Sequence, residues 1–300
     1  MIPNLTKETF FHPDGFPLVV TRSTSGRDYG MHTHEFSELV VITSGHGLHI
    51  TETETWPITS GDVFVITGRR AHGYKDSEGL KHVNILYDHE RLAIPATDLR
   101  SLPGYTALFS LEPDWRRRHR FTSRLRLSMK ELALVDRMID DMVDELNRRG
   151  PGFKLMSRAL FMQMIGFLSR AYSKAVAPAP KQLFRIAEAI SFLENNFDKD
   201  VYLDELAKMA HMSKRNFLRV FHETMGASPM EHLGGLRVAR AAELLRQERL
   251  TVTEVGYRVG FDDSNYFARQ FRKVMGLSPN EYRKQNRPHA AATGRHLNNA

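Results

Sequence analysis

The chain of 300 residues contains no cysteine. That absence excludes disulfide bonds and thiolate metal ligands, and it is typical of proteins in a reducing compartment. No stretch reaches the ~18–20 consecutive apolar residues that a membrane-spanning helix requires. The first fifteen residues also lack the basic start and apolar run of a secretory signal peptide. Together these absences predict a cytoplasmic protein with no membrane partner.

Composition and charge are those of a folded chain with a basic C-terminal part. The hydrophobic fraction is 41%, the charged fraction is 26%, and the length suits two compact domains. The net charge of +7 is uneven, because residues 181–300 carry 19 Lys/Arg against 14 Asp/Glu whereas residues 1–180 carry 23 against 21. The basic C-terminal part favours a polyanionic partner such as nucleic acid.

Hydrophobic patterning separates a strand-rich part from a helical part. Short β-rich runs bounded by Gly, Asp and Ser predict an antiparallel barrel or sandwich. Two helices follow, at 128–149 and 153–174, and their apolar faces fit either burial against their own domain or dimerisation. The β-rich runs are 18–21, 38–43, 62–67 and 82–87.

These changes of pattern predict a multidomain α and β protein. AVAPAPK at 175–181 is small and Pro-rich, as interdomain linkers are. The predicted parts are a β-barrel (1–127), a helical coupling or dimerisation segment (128–175), a linker (176–181), an all-α domain (182–287) and a disordered tail (288–300).

The all-α part contains an internal repeat. NFLRVFHETMGASP (216–229) and YFARQFRKVMGLSP (266–279) share seven identical positions at an offset of 50 residues. Each copy follows a short helix and a turn, and Ser213 and Asp263 are predicted to cap the second helix. Thr251 and the glutamate three residues later form a capping box on the first helix of the second copy. Helix, tight turn and helix is the motif that lays its second helix in the major groove of DNA.

Helical spacing gives each second helix a core side and an outer side. The predicted core comprises Phe217, Val220, Phe221 and Thr224, with Phe267, Phe271 and Val274 in the second copy. Any solvated amphipathic helix also has a polar outer side. The same outer position carries Arg in both copies, however, and this repetition favours DNA contact. Arg and Asn would then bond to bases, and Lys to phosphates. The predicted DNA-binding residues are Lys214, Arg215, Leu218, Arg219, His222, Ser264, Asn265, Ala268, Arg269, Arg272 and Lys273.

A further helix, predicted at 229–247, bridges the two copies. Ser228-Pro229 and Ser278-Pro279 each suit the first positions of a helix. Such a bridge would hold the two reading helices so that they enter successive major grooves about 34 Å apart. Gly234 and Gly235 lie inside it, and each is expected to cost roughly 1 kcal/mol relative to alanine.

The repeat has a specific resemblance. VTEVGYRVGFDDSNYFARQFRKVMGLSPNEYRK (252–284) carries a Gly-Phe turn, an Asp-x-Ser-x-Tyr-Phe helix start and a Gly-x-Ser-Pro segment. Over 182–287 the chain resembles the DNA-binding domain of the AraC/XylS family of bacterial transcription regulators. The resemblance implies two helix-turn-helix modules that bind promoter DNA.

The N-terminal part carries a second motif. His32, His34 and Glu38 alternate along a predicted strand, so their side chains face the same way. Imidazole and carboxylate ligands suit Zn, Fe, Mn or Ni. The spacing H-x-H-x3-E-x6-G that ends at Gly45 resembles the first motif of cupin barrels, and the later His72 matches part of the second.

This N-terminal part is similar to the sensory cupin of AraC-type sugar regulators, most of all the rhamnose-responsive activators. In such proteins the barrel mouth binds a small effector. Three interpretations therefore remain for the histidines and Glu38: effector-pocket groups, ligands of a divalent metal, or structural side chains. Trp56 and Tyr74 could stack on a sugar ring or pack the barrel. The predicted effector pocket is His32, His34, Glu38, His72, Trp56 and Tyr74, of which the first four are the alternative metal ligands.

The resemblance implies a transcription regulator, an activator, controlled by a small molecule, with a sugar as the expected effector. Its implied partners are promoter DNA, RNA polymerase and a second copy of the chain. No catalytic residue and no required cofactor are predicted. The alternatives are a cupin metalloenzyme with an appended DNA-binding domain and an effector-independent regulator whose barrel only dimerises. A basic run, WRRRHR (115–120), fits a solvated loop better than a DNA contact.

Overall fold

The computed structural model describes residues 2–23, 28–68, 70–94, 99–115, 125–174, 181–247 and 250–286. Within them the chain divides into two compact units, one up to Ser191 and one from Phe192. The predicted linker lies outside the described residues except for Lys181, where a helix begins, and the predicted tail lies outside them altogether.

The first unit is built on an eight-stranded sheet. Each of the four β-rich runs predicted from the sequence coincides with one of its strands, although the run at 62–67 ends one residue beyond its strand. The strands are β1 (Asn4–Leu5), β2 (Leu18–Ser23), β3 (Tyr29–His34), β4 (Ser37–Thr51), β5 (Thr55–Thr59), β6 (Asp62–Ile66), β7 (His72–Tyr87) and β8 (Leu125–Arg126).

The sheet is cupin-like but open. Its described strands pair in the order β1-β3-β7-β4-β6-β8, with β2 on β7 and β5 on β4. Because β4 and β7 are long, each pairs with several partners along its length. These pairings form a branched path and no ring, so in the described part of the chain the predicted barrel is an open sheet.

Alternation along the strands builds the sheet core. Val40 and Ile42 of β4, Ile58 of β5, and Phe64 and Ile66 of β6 pack in one buried cluster. The intervening residues of β4 are buried as well, which explains why the sequence there reads as an uninterrupted apolar run.

Short helical segments and three longer helices accompany the sheet. The short ones are α1 (Lys7–Phe10), α2 (His89–Leu92), α3 (Pro103–Tyr105), a π-helical stretch (Thr106–Leu111) and α4 (Glu112–Trp115). The longer ones are α5 (Met129–Arg148), α6 (Phe153–Lys174) and α7 (Lys181–Asn195), of which α7 includes the boundary between the units. In the described ranges, no helix combines the length and apolar character needed to cross a membrane.

The two helices predicted after the sheet are confirmed. Ser128 and Glu131 form a capping box at the start of α5, which fixes where the helix begins. Its apolar stripe is buried at Val135, Ile139 and Met142. On α6, Phe161 packs on a tyrosine of β7, so these apolar faces are at least in part covered by their own unit.

The second unit is all helical. Its helices are α8 (Leu203–Met209), α9 (Lys214–Met225), α10 (Pro229–Gln247), α11 (Val252–Arg258), α12 (Ser264–Met275) and α13 (Pro279–Asn286). The predicted bridging helix is α10, with the predicted bounds.

Capping explains where these helices begin and end. The side chains of Ser213 and Asp263 accept backbone N–H groups at the starts of α9 and α12. Thr251 and Glu254 form the predicted capping box on α11. Gly226 and Gly276 end α9 and α12 in the left-handed region, with φ of +71° and +76°.

The turns of the two modules differ by one residue. The first helices, α8 and α11, start 49 residues apart, whereas the second helices, α9 and α12, start 50 apart. The left-handed turn residue is His211 in the first module, with φ of +49°, and Gly260 in the second, with φ of +89°. The duplication therefore conserves the second helix and its cap more strictly than the turn.

One predicted core residue is exposed. Phe217, Val220, Phe221, Phe267 and Phe271 are fully buried, as their spacing predicted. Val274, however, is 51% exposed. It borders an open groove together with Gly234 and Gly235 of α10. Glycines offer no side chain to cover Val274, so its core assignment was wrong.

Alanine substitutions at two glycines of this unit should have opposite effects on its stability. A Cβ at Gly260 would lie 2.9 Å from the Phe197 carbonyl oxygen, at a φ that disfavours side chains. A Cβ at Gly234, inside α10, would meet nothing within 4 Å. We expect Gly260→Ala to lower the free energy of unfolding by about 1–3 kcal/mol and Gly234→Ala to raise it by about 0.5–1 kcal/mol. Urea unfolding of the full chain measures both, and an equal response would contradict the assigned backbone conformations.

Candidate functional site

The N-terminal histidines and Glu38 converge, although not on one continuous strand. β3 ends at His34, the chain bends at residues 35–36, and β4 starts at Ser37. The bend brings Glu38 back beside His34, with the His34 Nε2 atom 3.0 Å from a Glu38 carboxylate oxygen. His72, at the start of β7, places its Nε2 atom 3.3 Å from the same oxygen. The shared face predicted from strand alternation is present, but a bend and a second strand create it.

Backbone carbonyls orient all three rings. The Nδ1 atom of His32 lies 3.0 Å from the Gly30 oxygen, that of His34 2.6 Å from the Phe36 oxygen, and that of His72 3.0 Å from an oxygen of residue 70. A carbonyl oxygen only accepts, so each Nδ1 carries the hydrogen and donates it. Each Nε2 is thereby left facing the interior of the site.

The cluster is removed from water. His34 and His72 are fully buried, and Glu38 is 2% exposed. Burial by itself raises the pKa of a carboxyl group, but the short contacts with His34 and His72 outweigh it and hold the pKa of Glu38 below its usual range. Burial lowers the pKa of His32 to about 4, with the neighbouring His72 adding to the effect. Glu38 is therefore the ionised centre of the cluster at neutral pH.

A cavity of about 220 Å³ opens beside this cluster. It is smaller than the roughly 300–1,000 Å³ of pockets for drug-sized ligands, so it suits a smaller molecule. Its apolar wall is formed by Leu5, Phe10, Phe36 and Leu86. Its polar lining comprises Thr21, Arg22, Ser23, Asp28, Tyr29, His32, His34, Glu38, Tyr74, His82 and Asn84.

The sequence prediction found part of this lining. His32, His34, Glu38 and Tyr74 line the cavity, while His72 contacts Glu38 and does not line it. Trp56 lies elsewhere: it packs on His49, with ring centroids 4.5 Å apart, and belongs to the buried sheet cluster. Trp56 does not line this cavity, because it faces His49, its cross-strand partner on β4.

The polar lining residues that the prediction missed lie on β2, on β7 and around the start of β3. A signal for some of them exists in HVNILY, where His82, Asn84 and Leu86 alternate and so share one face. Arg22 and Asp28 carry no such signal, because only the pairing of β2 and β3 with β7 brings them to the cavity.

Besides His34 Nε2, three buried polar atoms around the cavity have no hydrogen-bond partner in the described part of the chain. They are the Tyr74 hydroxyl, His82 Nδ1 and the Asn84 side-chain oxygen. Burial raises the pKa of Tyr74 and lowers that of His82, so both side chains are neutral at pH 7. An unsatisfied buried polar group costs about 1–3 kcal/mol, and a ligand that bonds to it recovers that energy.

Arg22 connects this cavity to helix α5. It lines the cavity from β2 and donates to Asp136 at 3.0 Å and to Asp140 at 2.5 Å. The two aspartates are one helical turn apart, so a single guanidinium reaches both. A group inside the cavity that bonds to Arg22 would compete with them.

In the second unit, the predicted DNA-binding residues lie on the outer side of α9 and α12. Lys214, Arg215, Arg219 and His222 are exposed, as are Asn265, Arg269, Arg272 and Lys273, while Leu218, Ser264 and Ala268 are partly buried. Arg219 donates to Glu223 and Asn216 of its own helix, at 2.8 and 2.9 Å. The basic run at 115–120 lies outside the described residues apart from the backbone of its first residue.

The two units match two family models. An AraC-like ligand binding domain matches residues 18–165, and a helix-turn-helix domain matches residues 206–285. The HTH-type transcriptional activator RhaR of Mannheimia succiniciproducens is 26% identical over 95% of this chain and 98% of its own. RhaR of Salmonella schwarzengrund is 28% identical over 93% of this chain and 95% of its own. Among solved structures, the C-terminal domain of AraT from Geobacillus stearothermophilus is 28% identical, covering 41% of this chain and 97% of that one, with a TM-score of 0.35.

A cupin-like ligand domain and a double helix-turn-helix domain in one chain define a ligand-controlled, DNA-binding transcription regulator. The chain belongs to the AraC family of such regulators.

The buried cluster gives a stability prediction. His34→Ala would leave the Glu38 carboxylate buried with one partner fewer, and breaking a buried pair from one side costs about 3–5 kcal/mol. We expect a comparable loss in the free energy of unfolding, measured by urea denaturation with a chelator present. The control is His46→Ala, because the His46–Glu78 pair is exposed and should contribute little. If the two variants lose similar free energies of unfolding, the buried His34–Glu38 contact contributes no more to stability than the exposed His46–Glu78 pair.

Proposed function

We propose that the chain is a cytoplasmic, non-enzymatic transcriptional activator whose N-terminal cavity binds a small polyhydroxylated effector, a sugar. The observation that carries the proposal is the cavity beside the histidine cluster, with its three unpartnered polar atoms. The relatives named RhaR are transcriptional activators, which supports activation as the output. A promoter-binding protein acts where the DNA is, which supports the cytoplasm.

The lining of the cavity supports a sugar as the ligand class. Hydroxyl groups both donate and accept hydrogen bonds, and the Tyr74 hydroxyl, His82 Nδ1 and Asn84 oxygen offer both kinds of partner. Arg22 and Asp28 add charged groups that bond to hydroxyls. The apolar wall of Leu5, Phe10, Phe36 and Leu86 suits the C–H face of a sugar ring or the methyl group of a deoxy sugar.

The exposed faces of α9 and α12 support DNA reading by both modules. Each outer face offers one arginine at the same position, Arg219 and Arg269, and bidentate Arg contacts to guanine are the commonest specific base contact. Lys214 and Lys273 would bind phosphates. The bridge between the modules is α10, and its buried Val238, Ala241 and Leu245 pack in the core of the second module.

Control of activation would follow from a shift between populated states. An effector that bonds to Arg22 weakens the ion pairs of Arg22 with Asp136 and Asp140, and this changes the contact between β2 and α5. The exposed Met129, Leu155 and Met156 at the ends of α5 and α6 are suited to contact a second copy. A dimer would place two DNA-binding units on adjacent half-sites, where they contact RNA polymerase.

Effector binding should depend on Asn84. Asn84→Leu keeps the size of the side chain and removes its amide, so we expect sugar affinity to fall about tenfold or more, since one hydrogen bond is worth ~1–1.5 kcal/mol. A panel of pentoses, hexoses and deoxyhexoses is screened by thermal shift, and affinities of the hits are measured by calorimetry. His46→Ala is the control. If no sugar of the panel shifts the thermal midpoint of the wild-type chain, a regulator without a sugar effector is favoured.

Signal transmission should depend on Asp136 and Asp140 without affecting effector binding. The double variant Asp136→Asn/Asp140→Asn lies outside the cavity lining, so we expect sugar affinity within about threefold of wild type, less than 1 kcal/mol. Effector-dependent activation of a promoter reporter should change strongly. Asp144→Asn, which pairs with Arg148 instead, is the matched control. A normal reporter response in the double variant would exclude Arg22 as the link.

DNA reading should depend on both arginines. Arg219→Ala and Arg269→Ala should each weaken promoter binding by about 1–3 kcal/mol and relax sequence preference at one position. The promoter is identified by genome-wide mapping of bound sites, and affinities are measured by gel shift on wild-type and point-mutated sites. Arg246→Ala, on the exposed side of α10, is the control. If both arginine variants bind like wild type, the assigned reading face is incorrect.

A further inference from the structure

The site beside the cavity has the composition of a metal centre. His32, Glu38 and His72 are buried, and one potential ligand atom from each lies within 4.8 Å of the others. His34 adds a fourth candidate, with its Nε2 atom 3.0 Å from Glu38. With no cysteine in the chain, the donors are three imidazoles and one carboxylate. That donor set suits borderline divalent ions such as Zn²⁺, Fe²⁺, Co²⁺ and Ni²⁺.

The orientation of the rings points to the same conclusion. All three Nδ1 atoms donate to backbone carbonyls, which is how metal-binding histidines are commonly fixed by the residues around them. The bonds leave every Nε2 available. Two of these, on His34 and His72, face the same Glu38 oxygen and have no partner of hydrogen-bond geometry in the described part of the chain.

That convergence is electrostatically unfavourable without a positive charge at its centre. A ring that donates through Nδ1 is attracted to a carboxylate at Nε2 only when it carries a second proton and a positive charge, because a neutral ring presents a lone pair there. A divalent cation turns both lone pairs and the carboxylate into ligands at once. Burial increases the benefit, since the charges are screened by little water.

We propose that His32, Glu38 and His72, with His34, bind one divalent transition-metal ion in the wall of the cavity. His32, His34 and Glu38 also line the cavity, so an ion held there faces the space assigned to the effector. A hydroxylated ligand would then complete the coordination of the ion. This last step rests on the proposed effector function, whereas metal binding itself does not.

The test measures metal binding by the full-length, untagged chain without effector. The protein is stripped with a chelator and titrated with Zn²⁺ by equilibrium dialysis, and with Co²⁺, whose visible absorption reports nitrogen and oxygen coordination. We expect one ion per chain and a rise in the thermal midpoint on binding. Glu38→Gln removes the charge and keeps the shape, and it should weaken binding by about 10–100-fold.

Two further variants keep the result decisive. His32→Ala serves if Glu38→Gln does not fold, as judged by circular dichroism, because His32 is not hydrogen-bonded to Glu38. His46→Ala, an exposed histidine of β4, should bind like wild type. Absence of saturable binding at one ion per chain, or unchanged binding in both cluster variants, overturns the proposal. Sugar titrations of the stripped protein test the effector function separately, so either can fail without the other.

Discussion

The cavity of the first unit depends on the buried carboxylate of Glu38. Glu38 is ionised and almost fully enclosed, and an enclosed charge is stable only with partners in place around it. Those partners come from the end of β3, through His34, and from the start of β7, through His72. The carboxylate therefore ties the bend at residues 35–36 to a strand some forty residues away, and it fixes the inner wall of the cavity.

The same arrangement gives the cavity its chemical character. Part of the lining is a compact polar cluster whose rings are held by backbone carbonyls, and the apolar wall adjoins it, with Phe36 stacked on His34. Arg22 lines the cavity and also holds two aspartates of α5, so a ligand that bonds to Arg22 shares the guanidinium with that contact. Under the proposed function, effector binding and transmission to α5 share this one side chain.

The second unit presents two similar helices, α9 and α12, on the outside of a shared hydrophobic core. Phenylalanines at matching positions anchor α9 and α12, and capping residues at matching positions start them. The turns are free to differ, and they do, with His211 in one module and Gly260 in the other. Gly234 and Gly235 leave a groove beside α12, which exposes Val274 where its counterpart Thr224 is half-buried and hydrogen-bonded to its own helix.

The sequence by itself determined the local features of this protein. Strand alternation, helical spacing, caps and the repeat predicted the two units, the bridging helix with its bounds and the outer faces of α9 and α12, because each is a property of neighbouring residues. It also placed His32, His34 and Glu38 together. Only the tertiary structure decided that Trp56 lies outside the cavity, that Arg22, Asp28, His82 and Asn84 line it, and that the sheet is open. Those outcomes depend on which strands pair across long stretches of chain, and no local pattern records that pairing.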